Sequence, residues 1–442
     1  MKSFDSISIN DLASDAEEGS RASSFTEDVS RPDIFFSILF LIGLYTAVFL
    51  YFSDRLFIPY IICGLSAIYF LIKNRNIIDF SYFLPLLYLY VISGAGMVFV
   101  PGSYEYFFER FKGLAQLVYS SSIALLFFVH MRKWEAETVS KLFFGFMIFI
   151  LAGTMLEVYT PFKNLSDEFR HIIFRYGLYE ADLRDLYTYG QIRPKLFTSE
   201  PSHVAKFYIL SLFVWFALSE NKKRYFLYLF FISAGLILIR SPIIILSIPL
   251  ALAVEIFLRR DINFTNFIDK ERPFIGKSLM ILIFISIVFL SFALNTILAQ
   301  RVSKMIAGTD KSFAIRISGP AVIAFDTIKQ YPLWGAGITG KEAIANIIFN
   351  AYRKIGFKVY RVYDSNANFL SLFISYYGVL GGLLFIAGFR SLVRRLEIEK
   401  GIFIILTILL FSQTMGAFVG LRTWGYIFIV LLVASYYKPV NE

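Results

Sequence analysis

Apolar runs follow one another from Ile34 to Tyr437, each closed by a short charged or polar turn. Most are roughly 15 to 20 residues long, about what a helix needs to cross the hydrocarbon core of a bilayer. The pattern predicts about twelve membrane-spanning helices: Ile34–Phe52, Leu56–Ile72, Tyr82–Val100, Leu114–Val129, Leu142–Val158, Val204–Leu218, Tyr225–Ile239, Pro242–Leu258, Leu279–Leu298, Asn368–Phe389, Ile402–Gly420 and Trp424–Tyr437. The chain therefore reads as an all-α integral membrane protein, a polytopic helical bundle. Residues 1–32 are rich in Ser, Asp and Glu and read as a disordered cytoplasmic tail, leaving 33–438 as the transmembrane domain. The tail lacks the basic start and cleavage site of a signal peptide, so the first span is expected to be retained.

Composition agrees: 57% hydrophobic residues, 18% aromatics and a mean hydropathy of +0.63 exceed what a soluble chain of 442 residues carries. Cations in the short loops fall on alternate sides of successive spans, at Lys73 and Arg75, Arg132 and Lys133, Lys222 to Arg224, Arg259 and Arg260, and Arg390, Arg394 and Arg395. The positive-inside bias makes these loops cytoplasmic, with both termini on the same side. Two long loops, about 159–201 and 299–366, then lie outside. The lone Cys63 allows no intramolecular disulfide and no thiolate metal cluster.

Charge changes the picture in the last long loop. Its Lys and Arg residues far outnumber Asp310, Asp326, Glu342 and Asp364, so acidic partners are expected on the outer side. Nucleic acid does not suit that location; membrane lipids and lipid-borne diphosphates do. Spans entering from outside present helix N-termini there, whose unpaired amides and positive dipole ends favour phosphate. Three such ends stand out: Glu200, Pro201 and Ser202 with Arg193 upstream; Ser241 and Pro242 directly after Arg240; and Asp364, Ser365 and Asn366, any of which could cap. Each residue also has an ordinary reading. Arg240 could snorkel to headgroups, Arg193 and Arg316 could form structural salt bridges, and Glu200 could cap its helix or pair with Arg193. His203, in the first turn of its helix, could be a base or a histidine bonded to the loop. In Ser312–Gly340, Ile317, Ala321, Ala324, Phe325 and Ile328 recur at helical spacing, predicting a helix on the membrane surface or against the span bundle, with Arg316, Asp326 and Lys329 more exposed. Pro332 would end it, and Gly335, Gly337 and Gly340 would give a tight, mobile turn.

RPKLFTSEPSHVAKF at 193–207, the Arg240–Ser241 pair, the arginine-started helix ending in PLWGAGITG at 316–340, and DSNANFLSLFISYYGVLGG at 364–382 occur in this order. This succession resembles the O-antigen polymerase and ligase superfamily, over approximately residues 190 to 390. The resemblance implies a glycosyltransferase-C-like membrane enzyme acting on undecaprenyl-diphosphate-linked oligosaccharide in the bacterial inner membrane. No cofactor, nucleotide sugar or metal is implied, and a chain-length regulator protein is the implied partner. Arg240 and Arg316, with Arg193, would hold the donor diphosphate; Glu200, His203 or Asp364 would supply the base; Ser202, Ser241 and Asn368 would support them. Where the ligases carry a histidine-asparagine pair this chain has Ala367 and Asn368. That favours the polymerase over the ligase. A lipid-linked oligosaccharide flippase is the rival from another class, but such carriers keep charges inside their spans, and the predicted spans here are almost free of them.

Overall fold

Ser30 starts the first helix: its backbone N–H and hydroxyl both donate to the Asp33 carboxylate, at 3.0 and 2.5 Å. Helix α1 (Arg31–Thr46) thus begins just inside the polar tail expected to end at residue 32. The computed structural model describes residues 29–51, 57–76, 80–174, 178–259, 303–304, 307–310, 313–362, 368–412 and 415–437. The expected ninth span, Leu279–Leu298, lies outside them, as do Asp364, Ser365, Asn366 and Ala367.

The first two expected spans are shorter than their apolar runs. Ala47 turns left-handed (φ 54°) and ends α1, and the chain forms an antiparallel ribbon, β1 (Phe49–Tyr51) on β2 (Phe57–Pro59), with Leu50 opposite Ile58. A short apolar run fits strand or helix equally by periodicity, and Pro59 stops a helix from extending back through it. Helices α2 (Ile61–Lys73), α3 (Phe83–Val98), α4 (Phe107–Met131) and α5 (Ala136–Tyr159) follow. The next segment, expected as a loop, contains α6 (Phe162–Ile173) and α7 (Asp182–Tyr189). After α8 (Pro201–Leu218) and α9 (Arg224–Leu238), the expected eighth span is irregular: a 3-10 turn Pro242–Leu246, α10 (Ser247–Ala253) and a π-helical turn Val254–Leu258. A second π-turn, Ala314–Ser318, leads into α11 (Gly319–Gln330); α12 (Ala345–Lys354), α13 (Phe369–Arg395), α14 (Gly401–Ser412) and α15 (Leu421–Ser435) complete the described helices.

Every residue of α15 from Thr423 to Ala434 is buried, and α8 is nearly as enclosed. A helix apolar all round belongs at the centre of a bundle. Around this pair, α5 packs on α8, α4 on α15, and α1 on α2. Large apolar side chains on the outer helices face outward, among them Leu65, Ile68, Leu87, Val91, Leu383 and Ile386. Helices α4, α5, α8 and α13 are long and apolar enough to cross a membrane, and six shorter apolar helices accompany them. The protein is an all-α membrane protein.

Helix α11 packs against the span bundle, one of the two placements expected, but it buries only part of the expected stripe, Ala324 with half-buried Ile328. Pro320, Ile323, Ala324 and Thr327 face α13 and α12, whereas Ile317, Ala321 and Phe325 are exposed. Apolar spacing marks a face but not its partner, and beside a membrane an apolar residue is at home outside.

The glycine turn after α11 is held in place rather than mobile. Helix α13 is broken at Gly378 (φ 59°, ψ −156°), a conformation essentially restricted to glycine. The break frees backbone groups, and segment 332–337 takes them up. The amides of Ala336 and Gly337 donate to the carbonyls of Ser375 and Tyr376 at 2.7 and 3.0 Å. Those of Val379 and Gly381 donate back to the carbonyls of Pro332 and Leu333, at 2.7 and 3.1 Å. Arg110, fully buried, adds a bond from Nη2 to the Ala336 carbonyl at 2.9 Å. A Cβ on Gly335 would stand 2.3 Å from the Ser375 carbonyl oxygen, and Gly335 itself has φ 58°. Gly335→Ala should therefore cost at least the roughly 1–3 kcal/mol of backbone strain. Thermal unfolding of the purified variant in detergent checks this; an unchanged midpoint would remove the interlock from the account.

Candidate functional site

The segment leading into α8 carries strain. Leu196 and Phe197 are consecutive non-glycine residues with positive φ, 34° and 61°. Such backbone persists only where surrounding groups over-determine it. Here they do. The Glu157 carboxylate, at the end of α5, accepts the amides of Lys195 (3.1 Å) and Leu196. Ser166 Oγ accepts the Phe197 amide at 3.1 Å, Arg170 Nε donates to the Thr198 carbonyl at 2.7 Å, and Tyr45 Oη donates to the Leu196 carbonyl at 2.8 Å.

Ion pairs lock the same segment to α6 and α7. Lys195, 2% exposed, reaches Asp182 at 2.7 Å and Asp167 at 3.5 Å; Lys163 bridges the same two carboxylates, and Arg170 pairs with Asp167. Burial on its own would raise both carboxyls. The hydrogen bonds and charges of Lys163 and Lys195 outweigh it and hold Asp167 and Asp182 below the usual carboxylate range.

Beyond the strained turn, Glu200 occupies the N-cap of α8 with Pro201 behind it, as expected, but its side chain makes no capping bond. Its Oε2 accepts instead from Ser202 Oγ at 3.0 Å. One turn on, His203 Nδ1 lies 3.2 Å from Ser199 Oγ. Around this start of α8 cations gather from three parts of the chain. Arg316, from the π-turn before α11, and Arg422, from the first turn of α15, both act electrostatically on His203 and on Lys206, and Glu200 acts on Lys206 as well. Arg422 is fixed through its Nε to the Leu44 carbonyl (3.1 Å) and through Nη2 to that of Tyr45 (2.6 Å), capping the last turn of α1.

Of the residues expected at the site, Glu200, Ser202 and His203 share the start of α8, and Arg316 lies within electrostatic reach of His203. Arg193 is engaged elsewhere: its guanidinium pairs with fully buried Asp185 at 3.1 Å and bonds Tyr179 Oη at 2.6 Å. Its carboxylate partner is Asp185, not the Glu200 that proximity in sequence offers. Arg240, left-handed at φ 50° between α9 and the 3-10 turn, places its guanidinium beside Gly190 at the end of α7. Ser241 precedes the 3-10 turn without a side-chain cap. Asn368, expected as a supporting residue, is the cap of α13: its Oδ1 accepts the amides of Leu370 and Ser371 at 3.0 and 3.2 Å. The cap had been expected among Asp364, Ser365 and Asn366; Asp364 lies outside the described residues.

Lys206 and Arg422 are the members that sequence reasoning passed over. Both carried a signal, a lone cation at the edge of an otherwise apolar helix, where desolvating charge is costly without a purpose. Comparison with family models, with curated proteins and with solved structures finds no match for the chain.

The two depressed carboxyls give the loop a defined acid limit. A group whose pKa is lowered on folding contributes stability that is complete above its unfolded value, about 3.9 for Asp, and is lost as pH falls through the folded value. A spin label at exposed position 187 on α7, introduced as Tyr187→Cys with Cys63→Ser, should keep one helix-surface spectrum from neutral pH down to about 4 and gain mobility only below. Loosening already near pH 6 would contradict the ion-pair lock.

Proposed function

We propose that the protein is a membrane glycosyltransferase that polymerises oligosaccharide units carried on a polyprenyl diphosphate, undecaprenyl diphosphate in the bacterial inner membrane. The growing chain is transferred onto the next lipid-linked unit at the outer face. One observation supports this reading: Lys206 on α8, Arg316 from the π-turn before α11 and Arg422 from α15 all lie within electrostatic reach of His203 at the N-terminal end of an apolar helix, and Glu200 within that of Lys206. Cations grouped beside hydrocarbon favour an anionic ligand, and a lipid-borne diphosphate brings charge, position and hydrophobic tail together. The reading includes twelve spans, both termini in the cytoplasm, and the 193–207 segment on the periplasmic side.

In the reaction the bond between the sugar's anomeric carbon and the diphosphate breaks, and its electron pair leaves on the diphosphate. The acceptor hydroxyl oxygen bonds the anomeric carbon and gives its proton to Glu200. Arg316, Lys206 and Arg422 stabilise the departing charge, the electrostatic part of catalysis. Glu200 suits the base because its carboxylate is not spent on helix amides, and the only described hydrogen bond it accepts is from Ser202. His203, set among cations, donates to the sugar or the phosphate. The alternative of ligation is disfavoured because Ala367 stands where the ligase histidine is expected and Asn368 is occupied as a cap. Transport by flipping is disfavoured because the fully buried charges of α4 and α5, Arg110 and Glu157, sit in end turns and are bound to backbone.

Purified protein incubated with an authentic lipid-diphosphate repeat unit, without nucleotide sugar, metal or ATP, should give a ladder stepped by one repeat on a gel. Arg316→Ala and Arg422→Lys should each slow ladder formation on the order of 10²-fold, the usual scale for losing a preorganised charge contact. No ladder, with movement of the same lipid across a liposome bilayer, would replace the enzyme by a flippase.

A further inference from the structure

The basic outer segment that follows Arg316 is a small folded platform. Ile323, Ile344, Ile348, Ala351, Tyr352 and Val362 form a buried core of their own, separate from the main bundle core. This core fixes α11 against α12. Between the two helices lies a groove of about 540 Å³, lined by Asp326 and Gln330 from α11 and Ile347, Asn350, Arg353 and Lys354 from α12. The lining follows helical spacing, Asp326 with Gln330 on one helix and Ile347, Asn350, Arg353 and Lys354 on the other, so a mainly polar face with one apolar residue borders the groove. Asp326 and Lys354 meet across it at 2.7 Å. The volume falls within the range of about 300–1,000 Å³ typical of ligand sites.

The donor set indicates what the groove holds. Asn350 and Gln330 each offer a carbonyl acceptor and two N–H donors on a planar amide, and Asp326 offers further acceptors. Phosphate oxygens accept only, and would use half of that capacity. Sugar hydroxyls donate and accept together, and use all of it. Arg353 adds a guanidinium whose two-pronged geometry matches a carboxylate. Lys329, Lys358 and Arg361 are exposed on the same platform and bias it toward anions. Position matters too. Arg316 and Asp326 are ten residues apart along one nearly continuous helix, about 15 Å at 1.5 Å per residue. That distance is the reach of a short oligosaccharide from its diphosphate, not of a single sugar.

We propose that the groove between α11 and α12 is a saccharide subsite for sugars several units away from the diphosphate, and that it selects chains carrying a uronic-acid type carboxylate. The inference rests on the glycosyltransferase reading for the diphosphate end, while the groove's own binding is measurable without it. The full-length protein in detergent is titrated with a hyaluronan tetrasaccharide, which alternates uronate with neutral sugar, and with maltotetraose, which is neutral, and binding is followed by saturation-transfer NMR and thermophoresis. The uronate tetrasaccharide should bind at least about tenfold more tightly than maltotetraose. Arg353→Ala should remove that preference, and Asn350→Ala should weaken both sugars about tenfold, each on a protein whose melting point is unchanged. Equal binding of the two sugars, no binding, or binding indifferent to both substitutions would overturn the subsite. Loss of binding to anionic-lipid vesicles in Arg353→Ala, with no sugar binding in the parent, would assign the cations to headgroups and likewise overturn it. A repeat-unit ladder with an inert groove would refute the subsite alone; groove binding without a ladder would refute the enzyme alone.

Discussion

Inside hydrocarbon no water is present to pair a backbone N–H or C=O, and each unpaired group costs several kcal/mol, so every helix end and every break must be answered by the protein itself. Much of the described structure is organised by those answers. The last carbonyls of α1 are bonded by Arg422 from α15. The strained turn before α8 is bonded by Glu157, Ser166, Arg170 and Tyr45. The break at Gly378 is bonded by the chain after α11. Each answer ties together parts of the chain that are distant in sequence.

The same devices place the candidate site. Because Arg422 must reach the end of α1, its charge stands at the start of the most buried helix, facing α8. Because the turn at Leu196 and Phe197 is locked from four directions, Glu200 and His203 leave it in a fixed orientation. The interlock at Gly335 and Gly378 holds the far end of α11 against α13, and Arg316 lies at its near end. Preorganisation of this kind is what electrostatic catalysis needs, since charges already in place cost no rearrangement when the leaving group forms.

Much of the helical pattern was legible in the sequence because apolar length is a strong signal in membrane chains. It failed at the edges of runs, as with Phe49–Tyr51, where a short apolar segment suits either backbone. It failed also around α11, where Ile317 and Phe325 face outward, since apolar spacing marks a face but not what covers it. The site was half legible. Glu200, His203 and Arg316 stood out by chemistry and position, whereas Arg193 is drawn away by Asp185, which no local pattern pairs with it. Arg422 lies more than two hundred residues from His203, and only tertiary packing brings their charges together.

The central claim is that the cations at the start of α8 hold a lipid diphosphate. Phosphorus-31 NMR of undecaprenyl diphosphate in nanodiscs tests this without requiring turnover. The account predicts that the protein shifts and broadens the diphosphate resonances, and that a variant carrying both Arg316→Ala and Lys206→Ala restores those of protein-free nanodiscs. Identical spectra with and without the parent protein would contradict it.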